Sequence, residues 1–244
     1  MGDPLAQFAI KKVISFTAWG VNVSFTNYAL ACIVSVALIL LFFTIILITK
    51  PSKTRKTTRS AALATILYEV VVNMIGKDTQ KEDIYKFFPL IFTTFIFVLG
   101  CNIVGMIPFS FTVTSHIITT FALASFLFVI INVVGFSRHG LGYFRILAPE
   151  GAPLYILPLL VIVEFFAYIA RPISLSIRLA ANMMAGHIVL KVIAGFVSIS
   201  GVFFLFPFAL LTLLTGFEIF VAVLQAYIFA ILSSVYLGDA INLH

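Results

Sequence analysis

The chain has 244 residues, 62% of them hydrophobic and only 10% charged, with a mean hydropathy of +1.18, whereas soluble globular domains carry roughly 25% charged residues. This composition excludes a soluble domain and predicts a polytopic membrane protein. The net charge of +6 would suggest nucleic acid in a soluble protein, but five of the fifteen basic residues lie in one stretch, KPSKTRKTTR (50–59); that is a topology signal and leaves no basic surface domain to hold nucleic acid.

Residues 1–27 form an N-terminal segment with an acid and a proline at positions 3 and 4 and no apolar run ending in a cleavage site, so no removable signal peptide is expected. The first apolar run, 28–49, reaches the roughly 20 residues that cross a hydrocarbon core of about 30 Å. It ends at the basic loop, which places that loop on the cytoplasmic-like side, here the N side, and the N-terminal segment on the opposite, P side. Within 50–86, residues 60–76 put Leu63, Ile66, Leu67, Val70 and Ile75 at near-helical spacing, the pattern of an amphipathic helix lying on the N-side surface; Glu69 on it is read as a charge that is solvated or faces a partner subunit. Residues 87–137 hold two more spans, 87–107 and 117–136, separated by a break at Pro108. Arg138 and Arg145 in the loop 138–152 agree with an N-side position. Cys32 and Cys101 fall inside apolar spans without metal or redox spacing and are read as packing residues. The 27 phenylalanines are lipid-facing and packing bulk, and no cofactor or metal is expected.

From 153 to 244 come two longer apolar stretches, about 154–197 and 202–237, with the turn SISG (198–201) between them. As helices they would measure roughly 65 and 55 Å, twice a perpendicular crossing, so they must tilt, break or fold back; Pro158, Pro172 and Pro207 offer kinks. The predicted fold is all-α: about three steep transmembrane helices, an N-side amphipathic helix and a C-terminal hairpin of two long, strongly tilted helices. No internal repeat of the kind that builds secondary transporters is visible.

This hairpin carries Glu164, Arg171, Arg178, His187, Lys191, Glu218 and Asp239, although each ionisable residue at a helix centre costs at least about 2.5 kcal/mol unless it meets a partner or water. Glu164, Arg171 and Arg178 are spaced by seven, and so are Glu218, Gln225 and, two heptads on, Asp239. Seven residues return a helix to nearly the same face, so each helix bears a polar stripe. Arg178 and Asn182 share a face, while His187 lies about half a turn round. In the inferred topology Glu164 and Asp239 lie toward the N side, His187 and Glu218 toward the P side, and Arg178 between them. A permanent cation there can interrupt a proton wire and favour an ionised carboxylate on a partner. Arg171, without an Asn or His downstream, is expected to have no direct role and to serve as a control. Lys191 is read as snorkelling, and Asn102 and His116 are weaker candidates near the break.

The segments VEFFAYIARPISLSIRLAANMMAGH (163–187) and GFEIFVAVLQAYIFAILSSVYLGDAINLH (216–244) resemble subunit a of the F-type ATP synthases, and NIVGMIPFSFT (102–112) is similar more weakly. The resemblance implies that Arg178 faces the carboxylates of a rotating c-ring. It also implies that Glu164, Ser174 and Asp239 line an N-side half-channel, with Asn182, His187, Glu218 and Gln225 at polar positions between Arg178 and the P side. The His187/Glu218 order matches mitochondrial and alphaproteobacterial members, and Ala181 stands where many bacterial members have glycine. Implied partners are the c-subunit ring, peripheral-stalk b-type subunits, other ATP synthase subunits, the lipid bilayer and protons. The implied location is an energy-coupling inner membrane, mitochondrial or alphaproteobacterial-type plasma membrane. The chain itself has no Walker-type phosphate loop, so a non-catalytic subunit is expected; the competing reading is a self-contained ion transporter.

Overall fold

The computed structural model describes residues 9–15, 17–18, 21–22, 24–48, 59–75, 81–107, 111–147, 155–199 and 204–242. Six α-helices account for most of them: α1 (Asn27–Ile48), α2 (Arg59–Ile75), α3 (Lys81–Gly105), α4 (Ile117–His139), α5 (Leu157–Ile199) and α6 (Leu205–Ile241). All but α2 are long and apolar enough to cross a membrane. The protein is thus an all-α polytopic membrane protein with a long C-terminal helix pair, as the composition and run lengths predict.

Several boundaries differ from expectation. The N-terminal segment is not featureless: strand β1 (Lys12–Ile14) pairs antiparallel with β4 (Phe25–Thr26), and β2 (Thr17–Ala18) with β3 (Val21–Asn22). Asn27 ties this hairpin to α1. Its Oδ1 accepts the Lys11 N–H at 3.0 Å, its Nδ2 donates to the Ala9 carbonyl at 3.1 Å, and its own N–H donates to the Lys11 carbonyl at 3.1 Å. Helix α3 begins at Lys81, six residues before the apolar run, because a helix can extend past its apolar face wherever nothing breaks it. The loop expected at 138–152 is helical as far as Leu147: α4 runs to His139, and a 3-10 helix, Gly140–Leu147, folds back so that Tyr143 is buried beside α4. The close approach needs Gly135, since a Cβ there would clash with the Tyr143 ring. The basic stretch 50–58, Pro108 and Ser200 and Gly201 of the SISG turn lie outside the described residues, while Ser198 and Ile199 end α5.

Helix α2 keeps its predicted amphipathic character but buries only the later part of the predicted stripe. Val71, Met74 and Ile75 are buried and join the main core, with Leu67 and Val70 packed against it, whereas Leu63 and Ile66 point outward. The stripe 67, 70–71, 74–75 is the one that meets α3 and α6.

The core is organised around α6. Ala222, Ala226, Phe229, Ala230, Ser233, Leu237 and Ala240 are all buried, and their spacing of three and four puts them on one face. Mostly small, they let neighbouring backbones come close, as packing between membrane helices requires. Against them stand Phe95 and Val98 of α3 and Leu175, Leu179 and Met183 of α5. Asn102 of α3 is fully buried; its Nδ2 donates to the Ala222 carbonyl at 2.9 Å, which satisfies one end of an amide costly to bury in an apolar interior, while its Oδ1 has no hydrogen-bond partner among the described residues. The outward faces of α1, α4, α5 and α6 expose large aliphatic and aromatic side chains, as a lipid-facing surface should.

Helices α5 and α6, with 43 and 37 residues, are about 65 and 55 Å long at 1.5 Å per residue. Pro158 and Pro207 sit in their first turns, where a missing N–H is no loss. Of these three only Pro172 lies in a helix interior, as Pro89 does in α3, and α5 continues through it without a break.

Candidate functional site

Two polar clusters lie on α5 and α6, one on either side of Arg178. The first forms where α5 approaches its end at residue 199. His187 Nδ1 stands 3.2 Å from Glu218 Oε1, close enough for an ion pair though not aligned as a hydrogen bond; both carboxylate oxygens are buried. The other ring nitrogen, Nε2, is 2.8 Å from the Thr112 hydroxyl. Thr112 belongs to the segment joining α3 to α4, where Phe111 stacks on His116 and both rings meet Tyr28 of α1 edge-on. Tyr28 also accepts a hydrogen bond from the Thr119 hydroxyl at 3.0 Å. His116 precedes α4, and its burial lowers its pKa from the ordinary histidine value, because desolvation penalises the charged ring.

An apolar-walled cavity of about 880 Å³ reaches this cluster. His187 and Thr112 line it, and so do Lys11, Asn27 and Lys191, which places the N-terminal hairpin and the His187 cluster at the same end of the bundle.

Close approach of α6 to α5 at this point depends on Gly186. A Cβ there would come within 2.6 Å of Glu218 Oε1 and 2.9 Å of Cδ. The obstructing atoms are the end of a flexible side chain, and alanine is the better helix former by about 1 kcal/mol. Gly186→Ala is therefore expected to leave assembly intact while pushing the carboxylate off His187. ATP-driven proton pumping in membrane vesicles should slow roughly threefold to tenfold; an unchanged rate would show that the Glu218 position is not critical.

The second cluster lies toward the start of α5. Arg171 Nη1 is 3.2 Å from Asp239 Oδ2, and Nη2 is 3.9 Å from Glu164 Oε1. Its guanidinium also lies 5.1 Å from the Tyr168 ring centroid and 4.8 Å from that of Tyr236, within cation–π range. Tyr168 donates to Asn132 Oδ1 at 2.9 Å. A hydroxyl has one proton, so the 2.7 Å contact between Tyr168 and Tyr143 requires Tyr143 to be the donor. One hydrogen-bonded chain thus links the 3-10 helix, α4 and α5 beneath the arginine. Nearby, His139 Nε2 contacts the Ile241 carbonyl at 3.0 Å, which fixes the last turn of α6 to the end of α4.

Between the clusters, Arg178 is exposed, as are Ser174, Ile177 and Ala181 on the same stripe of α5. Arg178 makes no ion pair or hydrogen bond among the described residues. Asn182 is half-buried one turn on, and Gln225 is buried on α6.

The structure thus unites the predicted pair His187/Glu218 and draws Glu164 and Asp239 together around a shared cation. It leaves Ser174 and Arg178 on the surface, outside both clusters. Arg171, read from the sequence as a residue of the stripe without a direct role, is the residue that joins the two carboxylates. A signal for this existed: Tyr168 precedes Arg171 by three and Tyr236 precedes Asp239 by three, which puts each aromatic on its charge's face. No comparable signal marked Thr112 or Gly186, whose roles depend on contacts between distant segments.

The sequence model described as ATP synthase A chain matches residues 29–238. That stretch takes in every candidate residue except Asp239, which follows it directly. With five helices among the described residues able to span a membrane and two polar clusters along the long pair, the chain belongs to the ATP synthase A chain family, the proton-channel subunit of the membrane sector.

Proposed function

We propose that this chain is the non-catalytic, proton-translocating stator subunit of an F-type ATP synthase, and that its two polar clusters are offset half-channels serving a ring of c-subunits. The observation that carries the proposal is Arg178, a permanent cation on the outer face of a membrane helix with no ion-pair partner among the described residues. An arginine at that depth costs at least about 2.5 to 3.5 kcal/mol unless a partner compensates it. A ring of carboxylates passing over Ser174, Ile177, Arg178 and Ala181 supplies such a partner.

At 1.5 Å per residue Arg178 lies about 14 Å along the axis from His187 and about 21 Å from Glu164, so neither cluster reaches through the membrane alone. With the basic stretch 50–59 on the N side, the cavity and the Thr112–His187–Glu218 cluster open toward the P side, and the Glu164–Arg171–Asp239 cluster toward the N side. Protons enter by the first route and neutralise a ring carboxylate, which can then move into lipid. The next carboxylate ionises as it meets Arg178 and delivers its proton to the second route, with Asn182 and Gln225 at polar positions beside the arginine. The transmembrane potential contributes roughly 2.3 kcal/mol per charge per 100 mV. ATP is made elsewhere in the complex, whose peripheral-stalk subunits hold this chain against the rotation. The membrane is an energy-coupling inner membrane.

Cross-linking in the intact complex tests the ring-facing surface. Ile177→Cys and Ala181→Cys, both at exposed positions, are expected to form disulfides with a cysteine placed near the ring carboxylate; Leu179→Cys, buried to 1% exposure, is not. If Leu40→Cys on the outer face of α1 cross-links instead and neither α5 position does, the ring lies elsewhere and the proposal fails.

A further inference from the structure

We propose that Thr112 is a positioning residue for proton transfer: its hydroxyl fixes which nitrogen of His187 carries the permanent hydrogen, and so aims the other nitrogen at Glu218. The inference rests on the reading of His187 and Glu218 as a proton relay and adds a residue from outside the two long helices.

The assignment rests on the single Thr112 hydroxyl hydrogen being directed at the Gly105 carbonyl. The Thr112 hydroxyl has one hydrogen. It lies 3.3 Å from the Gly105 carbonyl oxygen, which can only accept, and 2.8 Å from His187 Nε2. With the hydroxyl hydrogen given to Gly105, the shorter contact is made by Nε2–H donating to Thr112 Oγ1. A neutral imidazole then has its lone pair on Nδ1, the nitrogen 3.2 Å from Glu218 Oε1. A turn of the Glu218 carboxyl aligns Oε1 with Nδ1, and one proton then passes between these two atoms: leaving Oε1–H it binds Nδ1, giving carboxylate and imidazolium, and the reverse step restores the neutral pair. The Nε2–H bond to Thr112 persists through both states. In the opposite tautomer an Nδ1–H would face Glu218, and the ring could not take a proton from that side.

Thr112 is held for this task by the surrounding backbone. It is 4% exposed, and its carbonyl accepts both the Ser115 hydroxyl at 2.7 Å and the Ser115 N–H at 3.4 Å. Its side chain sits where Gly105 has none: a Cβ at Gly105 would lie 2.6 Å from the Thr112 methyl carbon and 3.0 Å from the hydroxyl oxygen. The glycine ending α3 therefore brings the hydroxyl to its own carbonyl. The carboxyl end of α3 and the α3–α4 connection in this way reach into a site otherwise built from α5 and α6. Orienting an imidazole by a hydrogen bond on its far nitrogen is a general device for setting its tautomer.

The test uses the whole ATP synthase carrying this subunit. In wild-type complex labelled with ¹⁵N-histidine, the His187 signals, assigned by difference from a His187→Ala complex, should show the Nε2–H tautomer by solid-state NMR; an Nδ1–H tautomer would overturn the proposal without any variant at Thr112. Thr112→Val, which keeps the shape and removes the hydroxyl, should lower ATP-driven proton pumping about tenfold and leave His187 as a mixture of tautomers. Thr112→Ser should pump within about twofold of wild type and keep the Nε2–H form. Normal pumping by Thr112→Val with an unchanged tautomer defeats the proposal, and the relay reading survives if His187→Ala and Glu218→Gln still fail to pump. Should those two variants pump normally, the relay reading itself is wrong.

Discussion

Arg178→Ala is expected to abolish ATP-driven proton pumping, by at least about a hundredfold, the scale seen when one preorganised charge stabiliser is removed. The complex should still assemble. Arg178 is exposed and has no ion-pair partner among the described residues of its own chain, so truncation breaks no internal contact and removes a charge that is costly in lipid. Two functions of the guanidinium disappear together: favouring ionisation of a ring carboxylate and repelling protons that would otherwise cross directly between the half-channels. Arg178→Lys should recover only a minor part, because a compact ammonium lacks the flat fork that engages a carboxylate at two points. The measurement is quenching of a pH-sensitive dye in inverted vesicles, alongside co-purification of the ring. Wild-type pumping by Arg178→Ala would remove the mechanism proposed above.

Arg171→Ala is expected to damage both stability and pumping, the opposite of what its sequence context alone predicts. Its charge is shared by Asp239 and Glu164 and covered by the faces of Tyr168 and Tyr236. Removing it leaves two carboxylates near one another without a cation. Breaking a fully buried pair costs about 3 to 5 kcal/mol, and an exposed one about 1 or less. With side chains 22%, 34% and 43% exposed for Arg171, Glu164 and Asp239, an intermediate loss of about 1 to 3 kcal/mol is expected. It should appear as a lower melting temperature of the purified complex. Pumping should fall by more than about tenfold, since misplaced carboxylates no longer present a graded path. The double variant Arg171→Ala/Asp239→Asn separates the two effects: removing the stranded charge should restore stability, with a coupling of about 1 to 2 kcal/mol, but not pumping. If Arg171→Ala alone changes neither property, the cluster is a surface ion pair and no part of a proton route.

These expectations draw unequally on sequence and structure. The membrane class, the number of spans and the length of the final pair could be read from hydropathy, because a helix in lipid must satisfy its own backbone and so announces itself as one long apolar run. The pairing of His187 with Glu218 was legible once 153–244 was taken as a hairpin, since antiparallel helices of known length bring known depths together. The buried face of α2 was less legible. Leu63, Ile66, Leu67, Val70 and Ile75 all fit a helical stripe, and only contact with α3 and α6 selected Val71, Met74 and Ile75 and turned Leu63 and Ile66 outward. The N-terminal hairpins were missed because two- and three-residue strands carry almost no periodic signal. Their register is held by Asn27.

What the sequence determined by itself is the set of elements and the chemistry they can offer: spans of adequate length, seven-residue spacing of charge, and an arginine, an acid and an imidazole at depths where each demands a partner. Apart from the His187–Glu218 pair, which partner each one finds was decided only by the tertiary structure. Arg171 and Arg178 are the same side chain, seven residues apart on one helix, yet one turns into a cluster of two carboxylates and two tyrosines while the other faces outward. Thr112 and Gly186 look ordinary until α3, α5 and α6 come together. The physical reason is range: periodicity records what lies within a turn or two along the chain, whereas a hydrogen bond of 2.8 Å between residues 75 positions apart depends on how separate segments dock.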